Sequence, residues 1–281
     1  MLVGGERPRR PVGRGDPMRV SVRAAAGYDL PGDSMVVLMV EPALAGPSHR
    51  VVEERLLTTP TRSSSFRVDG AGNPQRRLVV ARGTFSYTFT ATVDVEPETP
   101  VPSDAVEHPP QDVPAEALVY TLPSRYCQSD LLVRMARSEF GAMKPGGGRV
   151  RAVADWVRER VEYRYGTTDS RTSAYDTATE RIGVCRDFAH LVIALCRALD
   201  VPSRYASGYS LGLEPPDFHG IAQVYLGGRW HNVDATTESL RPAFVPIAVG
   251  RDAADVAMTT LWGEATVVSQ SVEVREVAAG G

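Results

Sequence analysis

The amino-acid sequence predicts an α+β protein, with an all-β unit leading into a larger mixed unit. Three observations carry the prediction. Period-two alternation of β-branched and aromatic residues dominates the first third of the chain. A proline-rich stretch then interrupts the pattern, and helix-like spacings follow before a last block of strands. Helices grouped ahead of strands, and not alternating with them, point to an antiparallel sheet covered by helices and away from a doubly wound one.

The β unit is expected over residues 18–96. Met18-Arg-Val-Ser-Val-Arg alternates, Val36-Val-Leu-Met-Val is a short apolar run, and Phe66-Arg-Val leads into the turn Asp69-Gly-Ala-Gly-Asn. Arg77-Leu-Val-Val-Ala resumes the strand pattern, and Thr84 to Val95 alternates throughout, as suits a pleated, half-buried surface. Residues 97–115 hold six prolines among acidic and small residues. They read as a semi-rigid connector, because proline cannot donate to a sheet ladder.

From residue 116 to 281 the sequence predicts the mixed unit. Leu131, Leu132, Met135 and Ala136 mark a helix over 130–140 capped by Ser129 or Asp130. Val150, Val153, Ala154, Val157 and Val161 mark an amphipathic one over 150–163. A short helix before Gly183, a long one from Cys185 to Leu199 and strands from His219 onward complete the unit. Residues 1–17 carry arginines without an apolar segment after them, and are expected to be a tail outside the fold and not a secretory signal.

Composition removes several classes of function. With 31 basic and 34 acidic residues the net charge is -3, so no whole-protein field favours nucleic acid or an anionic membrane. No run of about 18 apolar residues exists to cross a bilayer. Three cysteines are too few and too unevenly spaced for a disulfide framework, and the odd number leaves one thiol for chemistry in a reducing compartment. A cytoplasmic location is the expectation.

Cys185 is the thiol so placed. Gly183 allows a sharp turn, and Cys185 then opens a helix, where free N–H groups and the helix dipole favour negative charge on sulfur and on an attacked carbonyl oxygen. Cys196 lies three turns on and shares the core stripe with Ala189, Val192 and Leu199. Cys127 follows Ser-Arg-Tyr in a loop-like context and is given no role.

A cysteine nucleophile needs a base. His49 and His108 fall in the β unit and the connector, and His190 points away from Cys185 around the helix. His219 to Leu226 reads as a strand, Gly227-Gly228 as a two-residue turn, and Arg229 to Asp234 as the return strand. In that register Leu226 faces Arg229 and Ile221 faces Asp234. His219 and Asp234 are then diagonal neighbours on one face, about 7 Å apart at the backbone, while His231 has the other parity. Cys185, His219 and Asp234 form the nucleophile, base and orienting carboxylate of a triad. No Cys-x-x-Cys or His-x-x-x-His spacing marks a metal site, and no glycine-rich phosphate loop is present.

Gly183-Val-Cys-Arg-Asp-Phe-Ala-His, Arg197-Ala-Leu-Asp-Val-Pro-Ser-Arg-Tyr-Ala-Ser-Gly-Tyr, Asp217-Phe-His, Trp230 and Asp234-Ala-Thr resemble the core of the transglutaminase-like superfamily. The likeness is to its bacterial members with an N-terminal β domain, and runs from about Leu118 to Val277. It implies a papain-like α+β core, a Cys185–His219–Asp234 triad, a thioester intermediate and acyl transfer from a peptide or protein amide to water or an amine. On composition and spacing no cofactor, metal, nucleic acid or membrane partner is expected, and the oligomeric state is left open. Two positions depart from the common pattern: His219 is followed by Gly-Ile where many members have Ala-Trp, and Asp234 by Ala-Thr where Pro-Thr is common. A non-catalytic interaction module on the same fold is the alternative reading.

Overall fold

The computed structural model describes residues 16–44 and 48–278, so most of the expected 1–17 tail lies outside the described residues. Six strands come first: β1 (Met18–Leu30), β2 (Ser34–Leu38), β3 (His49–Thr59), β4 (Ser65–Val68), β5 (Pro74–Val80) and β6 (Gly83–Val95). Helices α1 (Ala115–Leu118), α2 (Ser129–Phe140) and α3 (Gly147–Arg160) follow, then β7 (Glu162–Tyr163), α4 (Ala174–Glu180), β8 (Ile182–Gly183) and α5 (Cys185–Arg197). The chain ends in β9 (Ser203–Ser210), β10 (Phe218–Leu226), β11 (Arg229–Val233), β12 (Phe244–Gly250), β13 (Thr259–Trp262) and β14 (Thr266–Glu276). This is the expected mixed fold, with antiparallel sheets and a strand-rich region ahead of the helices.

The core sheet runs β11-β10-β9-β12, and the N-terminal half forms two sheets, β14-β1-β6-β3 and β13-β2-β5-β4. Here the topology differs from the expected division into 18–96 and 116–281. The last two strands leave the core: β14 pairs with β1 and β13 with β2. Val272 and Val274 pack against the same apolar cluster as Val20 and Phe89, and that burial draws the C-terminal segment back to the beginning of the chain.

Two elements differ from the expectation, a strand absent from it and a helix with other bounds. β3 has no clean alternation because it lies at a sheet edge with little burial, and a bulge between Val51 and Glu53 shifts its register. The helix expected over 150–163 begins at Gly147 and stops at Arg160, because Glu162 and Tyr163 pair with Ile182 and Gly183.

The halves share one apolar core, in which the Tyr209 ring stacks 6.5 Å from Phe89 while its hydroxyl donates to the Val40 carbonyl. Asn73 closes an edge of the core sheet from the N-terminal side. Its side-chain amide donates to the Val249 carbonyl and accepts the Val249 N–H, both at 2.8 Å, giving that edge residue the partners a further strand would supply. The connector is fastened to the core. Glu107 pairs with Arg149, which is itself nearly buried, and His108 accepts the Gly228 N–H at 3.0 Å.

Candidate active site

The start of α5 is built by its own third residue. Asp187, fully buried, accepts the Val184 N–H at 2.9 Å and so caps the helix. Arg186 braces it by donating to Asp187 and to the Asp169 carbonyl. Gly183 has no alternative, since a Cβ there would lie 2.7 Å from the Asp187 Cβ. These contacts hold Cys185 at the first helical position, partly exposed. Among the three cysteines it alone is not buried. Burial pushes the Cys127 and Cys196 thiols up to about 12.

The β10–β11 hairpin has the register read from the sequence: Leu226 pairs with Arg229 and Ala222 with Val233. His219 Nε2 meets Asp234 Oδ2 at 2.7 Å. Asp234 also accepts the Thr236 N–H and hydroxyl at 2.9 and 2.7 Å, with Arg241 3.4 Å away. Burial works against a charged His219, yet the bond to Asp234, followed by the interaction with Cys185, raises its pKa to about 9. Burial likewise opposes the Asp234 carboxylate, but His219 and Thr236 outweigh it and hold the pKa below the usual value. The second ring nitrogen of His219, Nδ1, is buried with no conventional hydrogen-bond partner. Cys185 is thus a neighbour that favours the charged form of His219, while Nδ1 is left without a hydrogen-bond partner.

The other histidines behave as the periodicities indicate. His190 is fully buried, takes the Ala253 N–H on Nε2 at 3.1 Å and stacks on Tyr126. Burial keeps it well below the ordinary histidine range, and hence neutral. His231 pairs with Val224, on the opposite face from His219, and burial lowers its pKa as well.

Three further side chains at this place were not singled out in the sequence. Asp187 was legible in principle as an acid at the third helical position. Tyr163 arrives through the β7–β8 bridge, a two-residue contact with no sequence signature. Burial and then the neighbouring Cys185 raise its phenol, whose hydroxyl lies by the Cys185 backbone. Tyr205 is buried against His190, and burial followed by Cys185 raises it too. Tyr205 also explains the glycine after His219. A Cβ on Gly220 would lie 1.9 Å from the Tyr205 hydroxyl, so this chain exchanges the usual alanine for a phenol beside the site.

Comparison with known proteins identifies the family of this fold. Residues 134–235 match the family described as the Transglutaminase-like superfamily. Over 237 residues the chain is 30% identical to the uncharacterised protein Rv2569c of Mycobacterium tuberculosis, covering 74% of each protein. It is 36% identical over 118 residues to the uncharacterised protein ML0607 of Mycobacterium leprae, a match that spans only 41% of that protein's length. Among solved structures it is similar to a Cytophaga hutchinsonii protein provisionally named a cysteine protease. There the identity is 37%, the TM-score 0.88, and the coverage 96% of this chain and 94% of the other. The chain belongs to the transglutaminase-like superfamily.

Proposed function

We propose that the protein is a cysteine-dependent enzyme of amide chemistry, of peptidase or amidase type, with Cys185 as nucleophile, His219 as base and Asp234 as the group that orients the base. The observation that carries this reading is the His219–Asp234 bond of 2.7 Å, together with a free, buried Nδ1 beside a thiol at a helix start. The likeness to the provisionally named cysteine protease supports it.

Proton transfer from Cys185 to His219 gives a thiolate that attacks the substrate carbonyl. The Cys185 N–H, at the first position of α5, donates to the developing oxyanion. The carbon–nitrogen bond then breaks, the amine departs with the proton of His219, and a thioester remains on Cys185. Water, or a second amine, gives a proton to His219 and attacks the thioester, releasing acid or new amide and restoring the thiol. An imidazole held up at about 9 retains at neutral pH the proton it takes from Cys185, which suits its next role, delivery of that proton to the leaving amine.

Hydrolysis is favoured over transamidation, because the sequence has neither a calcium-loop pattern nor a marker of an amine tunnel. The substrate is a peptide or protein amide. The three cysteines are free thiols, which suits a reducing compartment, and the cytoplasm is the location in this reading. Among the described residues no helix is long and apolar enough to cross a membrane.

The test is activity-based profiling with a library of peptide amides and amines, read by intact mass. A thioester adduct on Cys185, absent from Cys185→Ala, is the expected result. Turnover by Cys185→Ala would overturn the reading, and failure of every donor to label Cys185 would return the chain to the non-catalytic alternative.

A further inference from the structure

A groove of about 610 Å³ runs between loops of the N-terminal half and the core sheet. Leu44, His49 and Asn73 line one side, and Arg204, Tyr225 and Trp230 the other. Strand alternation puts Gln223 and Tyr225 on the face of β10 that carries His219. A smaller cavity lined by His219 and Asp234 shares Glu98 and Asn232 with the groove, so the two adjoin.

Arg204 is the unusual group in this groove. Its guanidinium carbon lies 4.0 Å from the centroid of the Trp230 ring and 5.9 Å from that of Tyr120. Its Nε donates to Gln223 at 2.8 Å, but no carboxylate among the described residues pairs with it. Arg19, Arg76 and Arg149 each have one, in Asp94, Glu41 and Glu107. Burial without that compensation lowers Arg204 to about 10.

Its surroundings are fixed in orientation. Gln223 Nε2 donates to Asn232 Oδ1 at 2.8 Å, and Asn232 Nδ2 donates to Glu98 Oε1 at 2.9 Å. An arginine can only donate, so Gln223 turns its oxygen to Arg204 and its Nε2 to Asn232, which sets the sense of both amides. The planar guanidinium is held through Nε and between the rings of Trp230 and Tyr120, and no carboxylate among the described residues gives it a counter-charge.

We propose that this groove binds a peptide segment carrying a single carboxylate, which pairs with Arg204 while the adjoining chain lies against Trp230. Arg204 is the buried cation of this groove, and Glu96 and Glu98 line it as well, a mixed lining that fits one carboxylate better than a polyanion such as nucleic acid. Arg204 pairs with Gln223, four strand positions from His219. That is roughly 13 Å, the length of about four extended residues. Binding stands apart from the catalytic reading; only the assignment of the segment to the substrate rests on it.

The experiment uses Cys185→Ala protein and two blocked pentapeptide amides, alike except for a central Glu or Gln, followed by the indole N–H resonance of Trp230. Trp156 and Trp262 are internal references, and Trp230→Phe assigns the signal. The expected result is roughly tenfold tighter binding of the Glu peptide, as for one charge-assisted pair. Arg204→Gln should abolish that preference and Arg204→Lys keep part of it. Equal binding of the two peptides, a preference that survives Arg204→Gln, or displacement by an oligothymidylate that binds more tightly than the Glu peptide would each overturn the proposal. Should Arg204→Gln misfold, as its other indole resonances would reveal, the peptide pair and Arg204→Lys decide the matter. Failure to form a thioester would sink the catalytic reading and leave this binding result untouched.

Discussion

The two ends of α5 carry the same side chain in opposite surroundings. Cys196 is fully buried within the main apolar cluster, and its thiol is pushed up to about 12. Cys185, eleven positions earlier and so about 16 Å away along the axis, is partly exposed at the amino end beside His219. One helix therefore supplies a packing cysteine at one end and a candidate nucleophile at the other. What separates them is the end of the helix, where backbone N–H groups have no intrahelical partner, and the histidine that the core sheet brings to it.

Substitution at both ends tests this contrast most severely. Cys185→Ala should lower turnover by roughly 10³-fold or more with the fold retained. Cys196→Ala should leave turnover near that of the parent and cost about 1–2 kcal/mol of stability through lost packing. Turnover assays and denaturant melts on the two variants decide between them. Iodoacetamide at neutral pH should label Cys185 in the native protein, and Cys127 and Cys196 only after unfolding. Native-state labelling of Cys196 would break the comparison.

A similar contrast divides the hairpin. His219→Ala should remove nearly all turnover, roughly 10³-fold, whereas His231→Ala should be close to silent. The reverse result would overturn the assignment made from strand parity.

Asp234→Asn should cost less than either catalytic substitution, roughly 10–10²-fold, and its clearer signature is in the histidine. The His219–Asp234 pair stabilises the fold fully below pH 6.5 and loses that contribution as the pH rises through about 9. In Asp234→Asn the His219 titration, followed by its imidazole carbon resonance, should move down from about 9, and the alkaline loss of stability should flatten. An unchanged titration would mean that Asp234 does not govern the histidine.

The local pieces of the site were legible because each rests on a short-range pattern. A glycine before a helix start marks Cys185, a two-residue Gly-Gly turn fixes the register, and parity chooses the histidine that meets Asp234. The hairpin register in the structure agrees with that reading. What escaped depends on contacts distant in sequence. Tyr163 reaches Cys185 through a two-residue bridge, and Gly220 is required by a phenol fifteen positions earlier on a neighbouring strand. The return of β13 and β14 to the N-terminal sheets was hidden in the same way, since an exposed strand offers no periodic stripe to show which sheet it completes.

Glu98 gives the finest form of the contrast, between a carboxylate held charged and one driven towards neutrality on the same side of the sheet. Asp234 is held low by His219 and Thr236 despite its burial. Glu98 is raised by burial from 4.5 to about 7, because the single bond from Asn232 does not compensate and Asp234 adds repulsion. Between pH 4.5 and about 7 the folded protein therefore retains a proton that the unfolded chain has released, so stability declines as the pH rises across that window. Glu98→Gln keeps an acceptor for Asn232 without the charge. It should flatten the decline and gain on the order of 1 kcal/mol above neutrality, a partial value because Glu98 is not fully enclosed. Melts of parent and variant at pH 5 and pH 8 measure this directly. A gap between the two proteins that is the same at both pH values would show that Glu98 does not titrate in that window.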